Sequence, residues 1–173
     1  MPGNAFIKFS DVDKGESLQK THPGKSGWIE IGEWGWDIES ETSFLKGGGS
    51  SVGKATPGSF TFSHFWDYSS SVIMNKIVSG KHFDWVVVEM LKATGENLPQ
   101  VYLQVKMASA FVTKVTTKAG EDGAIDQDVE LVCKEIVVSY KAQSNKGGLE
   151  GSAIPFNWNI AKNNASTDIK GTL

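Results

Sequence analysis

One segment of this chain changes its hydrophobic period, and that change limits the fold more than any other feature. Phe60, Phe62 and His64 fall on one face and Thr61, Ser63 and Phe65 on the other, as in a strand. The run then meets Asp67-Tyr68-Ser69-Ser70-Ser71, where any of the serines can accept a bond from the free amides of a helix start. Ile73/Ile77 and Met74/Val78 recur at four-residue spacing, and Gly80 offers a left-handed stop. The pattern predicts a helix of about ten residues, too short to persist alone in water. It must dock an apolar face, read as Val72, Ile73, Met74, Ile77 and Val78, on a sheet. Everything else reads as strands and turns, so the expected architecture is mainly β with one short flanking helix.

The strands follow one another along the chain. Ala5–Phe9 starts the first, and Trp28–Glu39 reads as a second, long strand in which Gly32 and Gly35 suggest bulges or close backbone approach. After the helix come Asp84–Lys92, Gln100–Thr117, Ile125–Lys141 and Ala153–Ile160. Val101, Leu103, Val105 and Met107 alternate with Tyr102, Gln104 and Lys106, the mark of a sheet buried on one side. Lys92–Pro99 and Lys118–Ala124 are compact, Gly-containing turns of hairpin type. Asp11–Gly27 reads as a polar connection and Glu41–Gly58 as an exposed Gly/Ser-rich loop. The expected organisation is one β-domain over residues 1–160 and a polar, disordered tail over 161–173.

A chain of 173 residues with 39% hydrophobic residues, nine Phe and six Trp among them, can close a substantial core and is not disordered. Its net charge of −3 creates no global field toward nucleic acid or an anionic membrane. All 17 basic residues are Lys, which cannot offer the two-pronged planar donor used in base readout. Cys133 is the only cysteine, so no internal disulfide is possible. Met1–Asp13 lacks a basic region followed by a long apolar run, and no apolar stretch is long enough to span a bilayer. The expectation is synthesis in the cytoplasm and, if the protein leaves the cell, export without a cleaved signal. No nucleic acid partner and no membrane insertion are expected.

Several constellations invite a chemical reading, and most fail it. Gly48–Ala55 carries the glycines and lysine of a phosphate-cradling loop, but Ala55 stands where a Mg²⁺-binding hydroxyl belongs and no helix of apolar period follows. His22, His64 and His82 lie far apart, without metal-ligand spacing. Cys133 continues the alternating run Val129, Leu131, whose simplest meaning is a buried core thiol, although a Cys133–His pair is not excluded by sequence. No carboxylate pair stands out as an acid/base couple. The expectation is no enzyme, no cofactor and no metal. Trp34 and Trp36 share a strand face, with Trp28 at the same parity. They suit either sugar stacking or, more commonly, burial against the helix or a neighbouring subunit.

The order of these features resembles a known family. Gly15-Glu16-Ser17, His22, Trp34-Gly35-Trp36, the Gly-rich stretch ending Gly53-Lys54, Asp67-Tyr68-Ser69-Ser70 and Gly80-Lys81-His82-Phe83 appear in turn. The Val101–Thr117 strand, the acidic turn Gly120-Glu121-Asp122 and Ile136-Val137-Val138-Ser139-Tyr140 follow. From Phe6 to Ile160 the chain resembles the haemolysin-coregulated protein (Hcp) family, the tube protein of bacterial type VI secretion. That resemblance implies a β-barrel of two packed antiparallel sheets with one helix on its flank, assembled as homohexameric rings that stack into a tube. It also implies the spike protein, contractile sheath, baseplate and small effector proteins as partners, the effectors sheltered in the bore, and export to the extracellular space or a target cell. An extended loop lies between the second and third strands of the family. Here it corresponds to Glu41–Gly58, with Glu41, Ser43, Phe44, Leu45, Lys46, Gly47, Gly48 and Gly49 as the residues expected to make the ring-stacking contact. The competing class is a monomeric β-sandwich module that binds a ligand or carbohydrate through Trp34 and Trp36.

Overall fold

A computed structural model describes residues 4–43, 51–95, 97–144 and 146–173. The elements in chain order are β1 (Ala5–Phe9), β2 (Ile29–Ile31), β3 (Trp34–Gly35), β4 (Ile38–Ser43), β5 (Ser51–Pro57), β6 (Phe60–Phe65), α1 (Tyr68–Ser79), β7 (Phe83–Lys92), β8 (Gln100–Ala119), β9 (Ile125–Val132), β10 (Glu135–Tyr140) and β11 (Ile154–Asn159). The long strand β8 belongs to two antiparallel sheets. Its first half pairs with β7 and β10, within the order β2-β1-β7-β8-β10-β11. Its second half pairs with β9, within the order β8-β9-β6-β3. Between the halves Ser109 sits at φ 50°, and the register against β9 shifts between Val112 and Lys114. A left-handed residue and a bulge are what turn one strand from sheet to sheet.

The sheets form a barrel-like body whose ladder is not closed. On the side away from β8, the segment carrying β2 and β3 crosses between the sheets. Gly32 N–H donates to Ser63 O at 2.8 Å, and Ser63 N–H donates to Glu33 O at 2.9 Å. The expected single strand Trp28–Glu39 is therefore three short pieces. A Cβ at Gly32 would lie 2.8 Å from Ser63 Oγ, so a glycine allows this crossing. Ile125–Lys141 likewise divides at Cys133-Lys134, where the chain leaves one sheet for the other. Phe9, Phe60, Phe62 and Phe83 fill the space between the sheets, with ring centroids 4.7 Å apart for Phe9–Phe83 and 6.0 Å for Phe9–Phe62.

The helix begins on Asp67, not on a serine. The Asp67 carboxylate accepts from Ser69 N–H at 2.8 Å, and Ser70 Oγ accepts from Asp67 N–H at 3.0 Å, a reciprocal capping box. Gly80 ends the helix at φ 67°. Ile73 is wholly buried, and Val72 and Ile77 pack partly against the core. Met74 and Val78 are 39% and 81% exposed, so they are not part of the docked face. Ser69, Ser70 and Ile73 lie on the sheet-facing arc, and at 100° per residue position 74 has rotated away from it.

The outer face of the first sheet is not bare. Glu89 and Gln104 are cross-strand neighbours there, with Phe6 on one side and Ser139 on the other. The connection from Gly15 to Gly27 lies over one end of this row. The C-terminal segment lies over the other, so the expectation of a disordered tail is corrected. Asp168 N–H and Ile169 N–H donate to Glu135 Oε2 at 3.0 and 3.3 Å, and Thr172 N–H donates to Gln104 Oε1 at 2.9 Å. Two side chains on the sheet hold the backbone of the tail, which its polar sequence does not reveal.

Candidate functional site

The residues with reactive side chains are largely committed to structure. His22 Nε2 lies 2.6 Å from Glu89 Oε2, its ring stacked on Phe6 at 4.8 Å and set edge-on to Trp28 at 4.4 Å. His64 is buried and meets Gln127 Oε1 at 2.8 Å. His82 lies 3.4 Å from Asp84, near the surface. Burial, assisted by the Glu135 carboxylate, pushes the Cys133 thiol up to about 12, so it stays protonated at neutral pH. Among the described residues, no group of three His, Cys, Asp or Glu is placed to hold a metal ion. No described helix is long and apolar enough to cross a membrane.

Trp34 is not presented as a sugar platform. Its ring stacks on Phe60 at 5.5 Å and its Nε1–H points at Met90 Sδ, 3.1 Å away. Trp36 is half-buried and tilts against Phe156 at 6.1 Å. Neither offers the free, coplanar face that stacking on a sugar requires.

Glu89 joins both coverings of the outer face. Gln104 Nε2–H donates to Glu89 Oε1 at 2.7 Å and to Thr172 Oγ1 at 3.0 Å. Burial pushes the Glu89 carboxyl up, but the hydrogen bonds from His22 and Gln104 and the charges of His22 and Lys106 outweigh it, and the net shift is downward. A depressed carboxyl stabilises the fold above its ordinary value of 4.5, and that contribution disappears as pH falls through the lower folded value. Glu89→Gln should therefore melt earlier than the parent at pH 6, and the two should converge below pH 4.5. A difference that stays constant down to pH 3 would show that the carboxylate charge contributes nothing here.

Two surface features remain. Of Glu41–Gly58, read as a loop, the described residues instead hold the end of β4 and the whole of β5. Strands β4 and β5 pair antiparallel from Ile38↔Pro57 to Ser43↔Ser51 and form a sheet of their own. Of the residues expected to make a stacking contact, Glu41 and Ser43 belong to β4, whereas Phe44, Leu45, Lys46, Gly47, Gly48 and Gly49 lie outside the described residues. The strand that follows also removes the phosphate-loop reading, since Ser51–Pro57 is not a helix. The alternation of Thr56, Lys54 and Val52 with smaller neighbours was the available strand signal, hidden by the glycines before it. The second feature is a cleft of about 1210 Å³ where the two sheets splay apart. Trp34, Met90 and Phe65 give it apolar wall, while Glu16, Glu33 and Asp126 stand at its exposed rim.

The family described as "Type VI secretion system effector, Hcp" matches residues 6–144. The chain is 33% identical over 165 residues to Protein hcp1 of Pseudomonas aeruginosa, covering 94% of this chain and 98% of that one. Among solved structures, Hcp1 from Salmonella typhimurium superimposes with a TM-score of 0.71 at 26% identity, covering 91% of this chain and 95% of that one. A further structure, described as a type six secretion system protein, reaches a TM-score of 0.82 at 22% identity, covering 92% and 97% of the two chains. At that identity it speaks for the fold alone.

Proposed function

The chain belongs to the Hcp family of type VI secretion proteins, and we propose that it is a tube subunit, assembled as hexameric rings that stack into a rod and shelter small effector proteins in the bore. The observation that carries this reading is the β4–β5 hairpin, which pairs with no other strand among the described residues and leaves the body as a projecting arm. A lone two-stranded ribbon is marginal in water and gains its order from something it touches. A second edge supports ring closure. Among the described residues β10 is the one strand that β11 pairs with, apart from the isolated Asn159–Asn164 bridge, and β11 exposes Ile154 and Phe156. An edge of this kind invites a neighbour. Different patches meeting head to tail close into a ring when the rotation allows it, and stack without limit when it does not.

On this reading the work is mechanical. A contracting sheath pushes the rod behind its spike from the baseplate, and the rings separate after delivery, so stacking contacts must be specific and weak. The protein is made in the cytoplasm and exported through the machine it helps to build.

Sedimentation and electron microscopy of the purified protein test the ring, and six-fold rings at moderate concentration are expected. A species of single-chain mass at high concentration, with no rings in the images, would overturn the reading. Stacking is tested separately by Phe44→Ala with Leu45→Asp, which should leave rings and melting temperature unchanged while tubes and secretion are lost. Early melting, or rings falling to monomers, would place these residues inside the subunit or the ring.

A further inference from the structure

We propose that the outer face of the first sheet is a peptide groove that reads main-chain amides, closed by this chain's own residues 165–173 as a detachable strap and open to an extended peptide of the same chemistry when the strap lifts. Groove and cover belong to a single chain, so this inference is independent of ring assembly.

The floor is well ordered and its cover is light. Glu135, Val137 and Ser139 share the outward side of β10, since Ile136 and Val138 pack into the core. They are nevertheless 7%, 0% and 2% exposed, and Gln104 on the neighbouring strand is 3% exposed. In the segment that lies over them, no residue from 161 to 173 is itself buried. A segment of this kind, held by a few bonds from side chain to backbone, opens locally at a fraction of the cost of global unfolding. The turn ahead of it supplies the hinge. Asn159 and Asn164 exchange main-chain bonds, N–H to O at 2.7 and 3.2 Å, around Asn163 at φ 53°. The strap can therefore lift from residue 165 onward while β11 keeps its pairing.

The groove reads its occupant at three points. Glu135 Oε2 accepts from two successive amides, Asp168 N–H and Ile169 N–H, while Asn159 Nδ2–H holds its Oε1 at 2.8 Å. Three residues further on, Gln104 Oε1 accepts from Thr172 N–H. Glu89 fixes that orientation: as a carboxylate it can only accept, so Gln104 turns Nε2 toward it and leaves Oε1 for the strap. Amides are common to all peptides, so selectivity comes from the third point. A Cβ at Gly171 would strike Ser139 Oγ and lie 3.1 Å from Ser139 Cβ. Ile169, two residues earlier, is half-buried. The partner that fits is an extended segment carrying an aliphatic residue and, two positions later, a glycine.

The test uses full-length chains and a fluorescent peptide of residues 165–173. Ile169→Pro with Gly171→Val unseats the strap by removing one bonded amide and setting a side chain against Ser139. Both changes lie in the strap, so the melting curve of the body should stay close to parental. The unseated chain should bind the parental peptide at least about tenfold more tightly than the parent does, because a tethered strap competes at high effective concentration. A peptide carrying Gly171→Val should not bind. Hydrogen exchange on the parent requires no variant. The amides of Asp168, Ile169 and Thr172 should exchange through strap opening, far faster than those of β8. Strap amides as slow as β8 would overturn the detachable strap. Failure of the unseated chain to bind the peptide, equal binding by parent and unseated chain, or equal binding of the two peptides would overturn the groove.

Discussion

Replacing Ile73 by Ala should cost about 2–5 kcal/mol, the range for truncating a fully buried aliphatic side chain when the site collapses only partly. For a chain of this size that is a fall in melting temperature of roughly 4–20 °C. Ile73 is 0% exposed and lies in the same core as Phe9 and Phe83. A helix of 12 residues has little stability of its own, so its order depends on this docking. Lys76 adds a second anchor at the far end, bonding to Asp11 and donating to His82 O at 3.0 Å, with its ammonium 4.9 Å from the Phe83 ring centre. Val78→Ala is the paired control, since an 81% exposed side chain should change stability by less than about 0.5 kcal/mol. Equal melting curves for the two variants would show that α1 is not held by Ile73.

Strands buried on one face were legible in the sequence because period 2 is a direct consequence of the pleat. β1, β7 and β8 lie within two residues of where alternation places them. What alternation could not show is where a strand changes sheet. Across Ile125–Lys141 the side chains in the core are Val129 and Leu131, then Ile136 with Val138 packed partly against it, a slip of phase around Cys133. That slip coincides with the bend of β8 at Ser109, opposite which Lys134 N–H donates to Ala108 O at 3.0 Å. A phase slip in one strand was therefore the sign of a corner in the fold.

Polar segments failed for a different reason. Glycine and serine in Glu41–Gly58 say only that the backbone is permissive, and strand pairing there depends on the partner strand, as in Ile38↔Pro57 and Ser43↔Ser51, not on composition. The tail 161–173 has no apolar period because its attachment is backbone amide to side-chain oxygen. Glu135 and Gln104, the groups that hold it, read from sequence as one charged and one polar strand residue among many. Asp67 likewise lost to the serines as helix cap, although the reciprocal bond with Ser70 uses both residue types.

Gly15→Ala should be among the most damaging single-atom additions to this chain. Gly15-Glu16-Ser17 and His22 were recognisable only as a family pattern, and the structure supplies their physical reason. Gly15 N–H donates to Gly24 O at 2.8 Å and Gly24 N–H to Ser17 O at 2.7 Å, so two backbones cross in direct contact. A Cβ on Gly15 would strike Trp28 O and stand 2.7 Å from Trp28 C, both backbone atoms that no rotamer change can move. The connection must shift, and with it the His22 ring seated on Phe6 and bonded to Glu89. Overpacking usually costs about 1–3 kcal/mol, and rigid backbone on the far side argues for the upper end or beyond. Gly148→Ala, with nothing within 4 Å of its added carbon, should be nearly silent. Denaturant titration of both variants, with NMR of the His22 ring, separates the outcomes. A destabilised Gly15→Ala whose His22 resonance is unchanged would mean that the strain is absorbed before it reaches the sheet. A variant as stable as the parent would mean that the crossing of Gly15 and Gly24 is looser than the backbone contacts require.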